Sequence, residues 1–319
     1  MKTRVNLNKP DLWKNDIVQS VDMYNNWFME FAPSAYRGTR LRVAKDVEET
    51  LRATNNLQDI GPGILRENPA VLPTLRMSTC PPLAVDRLIG LAGVPGSLVD
   101  TMEKQQKLPK RLVGDSLDRE LNKIGAIIEK MADPDIFVWL RRETPATEVE
   151  IHRASTIVAD RLCGSFANPI IRNAQEKRQL SAIESWLKER GYQPAAKGLK
   201  FNEMEPGTYG FRMNLPVNIG AATKVNIPVD AVIMPWNSTK GDLPLLVEAK
   251  SAGDFTNVNK RRKEEAVKMS QIRGTFGDRA RFILFLCGYF DSGYLGYEAA
   301  EGIDWVWEHR IDDLEQFGL

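Results

Sequence analysis

Histidine is nearly absent from this 319-residue chain, which has only His152 and His309. Two such residues cannot build a His-rich metal site, and they form neither a His-x-Lys phosphodiesterase pattern nor the metal finger of an HNH-type nuclease. Cysteine is equally sparse. Cys80, Cys163 and Cys287 are scattered, odd in number and without a Cys-x-x-Cys pair, which excludes a disulfide framework and a zinc ribbon. A reducing cytoplasm is the expected compartment. No apolar run reaches the roughly 20 residues of a membrane span. The opening Met1-Lys-Thr-Arg-Val-Asn6 has no apolar core of a signal peptide. There is no Walker A loop and no Gly-x-Gly-x-x-Gly. The formal net charge is only +1, so any contact with a polyanion has to come from local basic patches.

What is present is a chain that changes character half-way. Up to about residue 165 the periodicity is helical throughout. Trp13, Ile17, Val21, Tyr24, Phe28 and Phe31 predict a helix over 10–32 that Pro33 ends, and Val43, Val47 and Leu51 predict a second over 40–55. Residues 57–82 are rich in Pro and Gly and read as a loop or several turns. Residues 83–105 have the spacing of a helix-turn-helix, with Gly93 in the turn and Ser97, Asp100, Thr101 and Lys104 on the outer side of its second helix. Ile89, where a small residue is usual, and the lack of basic charge favour a plain packed pair. Helices follow over 117–131, 135–142 and 145–162.

From Ala167 onward strands enter. Asn168-Pro169 reads as a cap and first-turn proline of a helix that Gly191 stops. Strands are expected over 209–217, around Asp230, over 243–250, over 282–287 and over 303–307, with helices over 256–276 and 294–301. The expectation is an α+β or α/β fold with two domains. An all-helical domain spans 1–165, with a DNA-recognition or dimerisation role. A second domain spans 166–319, with a mixed central sheet flanked by helices.

The charged residues in the apolar strands carry the chemistry. Asp230 is the only charge in Ile227-Pro-Val-Asp-Ala-Val-Ile-Met234. Glu248 and Lys250 alternate with Val247 and Ala249, so they project from one face of Leu245-Leu-Val-Glu-Ala-Lys250. Buried charges are costly unless they pair with each other or bind a cation, and carboxylates suit a hard divalent one. A buried salt bridge without function remains the alternative.

Asp230 followed by Glu248-Ala249-Lys250 resembles the Asp…Glu-x-Lys motif of the PD-(D/E)xK nucleases. The flanking stretch Val247 to Glu265, Lys9-Pro-Asp-Leu-Trp-Lys-Asn-Asp-Ile17 and Leu75-Arg-Met-Ser-Thr-Cys-Pro-Pro-Leu83 are similar to the XamI-type restriction endonucleases. The resemblance implies a PD-(D/E)xK restriction-endonuclease-like core and a Type II restriction endonuclease. Such an enzyme cleaves double-stranded DNA with Mg²⁺ at a short palindromic site, leaves 5′-phosphate and 3′-hydroxyl ends, works as a homodimer, and is accompanied genetically by a methyltransferase. Asp230 and Glu248 would be the metal ligands, with the Ala249 carbonyl as a further one. Lys250 would act as a base or only orient the attacking water.

Glu176 shares the buried stripe of Leu180 and Ile183, and is either a fourth active-site acid or a surface partner of Lys177 or Arg172. Lys260, Arg261, Arg262 and Lys263 open the helix after the catalytic strand, and one or two of them are expected to reach phosphate. Asn257 reads as a helix cap or a base contact. Two rivals stay open: a repair or junction nuclease of the same fold, and a non-catalytic helix-turn-helix-like DNA-binding protein.

Overall fold

The computed structural model describes residues 4–196, 198–219, 223–239, 241–255 and 258–319. The chain forms two compact units, Ala32–Ile171 and Met1–Phe31 with Arg172–Leu319. The units therefore do not follow a single cut near residue 165, because the first 31 residues group with the C-terminal half.

The helical unit packs α2 (Pro62–Glu67), α3 (Leu72–Met77), α4 (Val85–Ala92), α5 (Gly96–Gln105) and α6 (Gly114–Met131) with parts of α1 (Pro10–Ala53) and α7 (Glu148–Glu189). Its core joins Val43, Val47, Leu88, Leu98, Met102, Leu121, Ile124 and Trp139. The loop or several turns expected over 57–82 are three short helical pieces, because the prolines stand at first-turn positions where a missing N–H costs nothing. Pro33 and Pro169 lie inside α1 and α7 rather than at an end, so Asn168 is not a cap. The helix expected over 135–142 shrinks to a 3₁₀ turn, Val138–Arg141. Phe137 and Trp139 are both fully buried, and residues two apart cannot share one α-helical stripe. The pair α4 and α5 forms as expected, with Gly93 left-handed at φ 60° in the turn.

The other unit is built on a six-stranded sheet: β1 (Gln193–Pro194), β2 (Thr208–Ile219), β3 (Thr223–Met234), β4 (Leu245–Ala252), β5 (Arg281–Gly288) and β6 (Asp304–Trp307), in that spatial order. β2, β3 and β4 are antiparallel neighbours, while β4, β5 and β6 run parallel. One face carries Ala231, Ile233, Leu245, Val247, Ile283 and Phe285 and is covered by Ile183, Trp186 and Leu187 of α7. The opposite face carries Val232, Leu246, Leu284 and Leu286. It is covered by Met269 and Ile272 of α8 (Val258–Phe276) and by Tyr294 and Leu295 of α9 (Ser292–Glu301). With both faces covered, β5 reads as an unbroken apolar run. α7 ends where expected: Gly191 is left-handed at φ 82°, and the Tyr192 N–H returns to the Leu187 carbonyl.

The N-terminal segment is tied to the sheet. The buried Asp304 carboxylate accepts from the backbone N–H groups of Val5, Asn6 and Leu7 at 2.6, 3.0 and 3.0 Å. Trp13 meets Trp305 edge-on at 5.4 Å between ring centroids. Among the described residues no helix is long and apolar enough to cross a membrane.

Candidate active site

The β3–β4 ladder pairs Ile233 with Leu245, Val232 with Leu246 and Ala231 with Val247, and there it stops. The next backbone donor on β4, the Ala249 N–H, goes to the Asp230 carboxylate at 2.9 Å instead of to a strand carbonyl. The N–H and C=O of one strand residue point to the same side. The Ala249 carbonyl therefore also faces the gap where β3 and β4 part. Side-chain alternation puts Asp230 with Val232, and Glu248 and Lys250 with Leu246, on the face covered by α8 and α9.

Charges on this face alternate. Glu248, almost fully buried, accepts from Lys250 Nζ at 3.1 Å on one oxygen and from Lys268 Nζ of α8 at 2.5 Å on the other. Lys250 Nζ also lies 3.9 Å from Glu265 Oε1, again from α8. The second Glu265 oxygen accepts from the Tyr294 hydroxyl at 2.6 Å. Behind it sits Glu298 of α9, fully buried.

These neighbours set the proton affinities. Burial, and then the charge of Glu248, push the Asp230 carboxyl up to about 6. Burial works to lower the Lys250 ammonium, but the charges of Glu248 and Glu265 outweigh it and raise its pKa. Lys250 is therefore held as a charged donor. Burial raises Glu265 as well, and burial with the adjacent Glu265 pushes Glu298 up to about 8.

A buried and a half-buried carboxylate that repel each other, beside a backbone carbonyl, form a donor set that suits a hard divalent cation. Among the described residues no group of three or more His, Cys, Asp or Glu side chains gathers as a metal cage. Asp230, Glu248 and the Ala249 carbonyl are the residues that could hold such a cation, and Mg²⁺ is characteristically held by one or two carboxylates with substrate phosphate and water completing its shell.

Residues 55–307 match the XamI restriction endonuclease family. A Type II restriction enzyme, SalI from Streptomyces albus G, is 52% identical over 316 residues, covering 98% of this chain and 99% of that protein. The chain belongs to the XamI restriction endonuclease family. A crystal structure of protein VC1899 from Vibrio cholerae also aligns, at 14% identity and a TM-score of 0.28 over 86% of this chain and 55% of that one. So low a score adds nothing about fold or activity.

In this XamI-family chain Asp230, Glu248, Lys250 and Ala249 come together, and Glu176 does not join them. Glu176 lies on α7, which covers the other face of the sheet, and pairs with Arg212 at 2.8 Å. The contribution of α7 is Gln179. Its buried amide donates to the carbonyls of Lys250 at 3.3 Å and Phe285 at 3.2 Å, and so fixes the backbone under the lysine. Sequence reasoning missed Gln179, Glu265 and Lys268. The rule that nominated Glu176 also fits Glu265, which stands four before Met269 and seven before Ile272 on the stripe of α8. The neighbouring run of four basic residues hid it.

Arg262 lies over the Tyr297 ring at 3.4 Å, and Lys263 is exposed. Asn257 and the side chains of Lys260 and Arg261 lie outside the described residues. In the helical unit, the Thr101 hydroxyl donates to the Ser97 carbonyl at 2.6 Å and Lys104 pairs with Asp100 at 2.7 Å, while Ser97 is exposed. Trp305 and Trp307 are buried core; Trp236 is half-exposed against Tyr192.

Proposed function

We propose that this chain is a Type II restriction endonuclease that hydrolyses phosphodiester bonds in both strands of DNA at a short palindromic site, with Mg²⁺ held by Asp230, Glu248 and the Ala249 carbonyl. The observation that carries this reading is the convergence of Asp230, Glu248 and Lys250 where β3 and β4 part, on a single face of the sheet. Family membership and the likeness to a Type II restriction enzyme over nearly the whole chain support the reaction class.

When bound, the cation neutralises charge on the scissile phosphate and lowers the pKa of a coordinated water. Lys250 supplies a charged donor beside the carboxylates. It hydrogen-bonds the non-bridging phosphate oxygen and orients the attacking water, and its raised pKa favours this role over that of a base. Asp230, aligned by the Ala249 N–H, and Glu248 fix where the phosphate sits. The products are 5′-phosphate and 3′-hydroxyl ends.

A palindrome cut on both strands needs one site per strand, which a two-fold homodimer provides. The helical unit, with Ser97, Thr101 and Lys104 on its outer side, is assigned to recognition or dimerisation. Of Lys260, Arg261, Arg262 and Lys263 at the start of α8, one or two are assigned to phosphate contact, and Asn257 to a helix cap or a base contact. A cognate methyltransferase protects the host in the cytoplasm where both act.

Digestion of unmethylated phage DNA with and without Mg²⁺ tests the reading. Discrete bands that EDTA abolishes support it, and sequencing their ends gives the site and stagger. A smear drops sequence specificity and leaves a junction or repair nuclease. Binding without cleavage in Mg²⁺ leaves a DNA-binding protein.

A further inference from the structure

Glu248 has both oxygens occupied, one by Lys250 and one by Lys268. Any cation shared by Asp230 and Glu248 therefore competes with these ammonium groups for the same carboxylate. Lys250 is largely buried, and a buried ammonium stripped of its counter-charge is costly. It needs another acceptor within reach.

One is present. Among the described residues Glu265 Oε1 is buried with no lysine, arginine, hydroxyl or backbone N–H donor on it, and it lies 3.9 Å from Lys250 Nζ. A movement of about 1 Å would bring the two to hydrogen-bond distance. The carboxylate is already aimed, because its other oxygen is fixed by the Tyr294 hydroxyl at 2.6 Å. Glu298 backs it from α9 and, with its pKa pushed up to about 8, favours a neutral form that donates to the Glu265 carboxylate and so favours the charged form of the receiving group.

We propose that Glu265 is a positioning residue for Lys250: it receives the ammonium group when Glu248 turns to a divalent cation, so that the lysine stays fixed beside the reacting phosphate. This exchange rests on the reading that Asp230 and Glu248 hold the cation. It assigns α8 a part in arranging the reacting groups beyond covering the sheet. Glu265 and Lys268, three residues apart on one face of α8, bracket the pair Lys250 and Glu248.

The test is Mn²⁺ binding without DNA, with free Mn²⁺ counted by its EPR signal, in wild type, Glu265→Gln, Lys250→Met and the double variant. Glu265→Gln keeps the shape and the Tyr294 contact but removes the receiving charge. Its dissociation constant is expected to rise about tenfold over wild type, a change of about 1.4 kcal/mol. In the Lys250→Met background the same substitution is expected to change nothing, because there is no ammonium to receive. Equal weakening in both backgrounds would overturn the proposal, since Glu265 would then act on the cation itself. No weakening in either would overturn it too. Should Glu265→Gln fail to fold, Tyr294→Phe, which releases the aim of Glu265, is expected to weaken binding about two- to threefold, again only when Lys250 is present; an unchanged constant counts against the proposal. A wild type that binds no Mn²⁺ would instead remove the cation site on which the exchange depends.

Discussion

The Asp230 carboxylate accepts the backbone N–H of Ala249 at 2.9 Å, just beyond Ala231 and Val247, the last paired position of β3 and β4. A hydrogen bond that would ordinarily close a sheet is thus given to a side chain. The strands open at the point where the two acids meet, and the resulting repulsion is a cost that a bound cation would relieve.

That cost has a sign that can be measured. The Asp230 carboxyl titrates near 6 in the folded protein against 3.8 for the free group, so the folded state holds its proton longer than the unfolded chain. Its contribution to stability is full below pH about 4 and is lost as pH rises through about 6, by up to roughly 3 kcal/mol. Asp230→Asn is expected to melt several degrees above wild type at pH 8 and close to it at pH 4. Added Mg²⁺ should raise the wild-type melting temperature at pH 8 and leave that of the variant unchanged. Scanning fluorimetry across pH checks both.

Asp304→Ala removes the acceptor of three buried or half-buried backbone N–H groups in Val5, Asn6 and Leu7. At about 1–3 kcal/mol per unsatisfied group, the expected loss is at least about 3 kcal/mol of unfolding free energy. Urea denaturation reads it; a loss below about 1 kcal/mol would mean the segment does not dock there.

Arg76→Ala should destabilise the helical unit by about 3–5 kcal/mol, because Arg76 makes a buried two-pronged pair with Glu103 at 2.9 and 3.0 Å and also donates to the Leu83 carbonyl. Its removal leaves Glu103 buried and uncompensated. Denaturation followed by circular dichroism provides the value.

Glu176→Gln is expected to cut at the wild-type rate within about twofold, because its side chain is on the face of the sheet away from Lys250 and its ion pair with Arg212 is largely exposed. A loss of a hundredfold or more in single-turnover cleavage would return Glu176 to the active site.

The two strands of the site were legible in the sequence because an isolated charge in an apolar run, and a two-residue alternation, are local signals. Glu248, Lys250 and the order of strands and helices around them followed from the same periodicity. What was not legible is pairing across distance. Which helix covers which face decides between Glu176 and Glu265, and nothing in either helix stripe says so. Prolines misled at 33 and 169, where the helix carries on, and at 62, 69 and 73, where they begin helical turns. Two of the stretches that suggested the family are structural ties. Arg76 belongs to one, and Asp16 to the other, buried between Arg310 at 2.9 Å and His309 at 3.4 Å.

The most direct measurement is single-turnover cleavage of unmethylated plasmid by wild type and Asp230→Ala in Mg²⁺, alongside binding of the same DNA in Ca²⁺. Losing the several kcal/mol of charge stabilisation that a metal site supplies corresponds to a rate at least about 10³-fold lower, with DNA binding retained. An Asp230→Ala protein that still cuts at the wild-type rate would place the chemistry elsewhere in the chain.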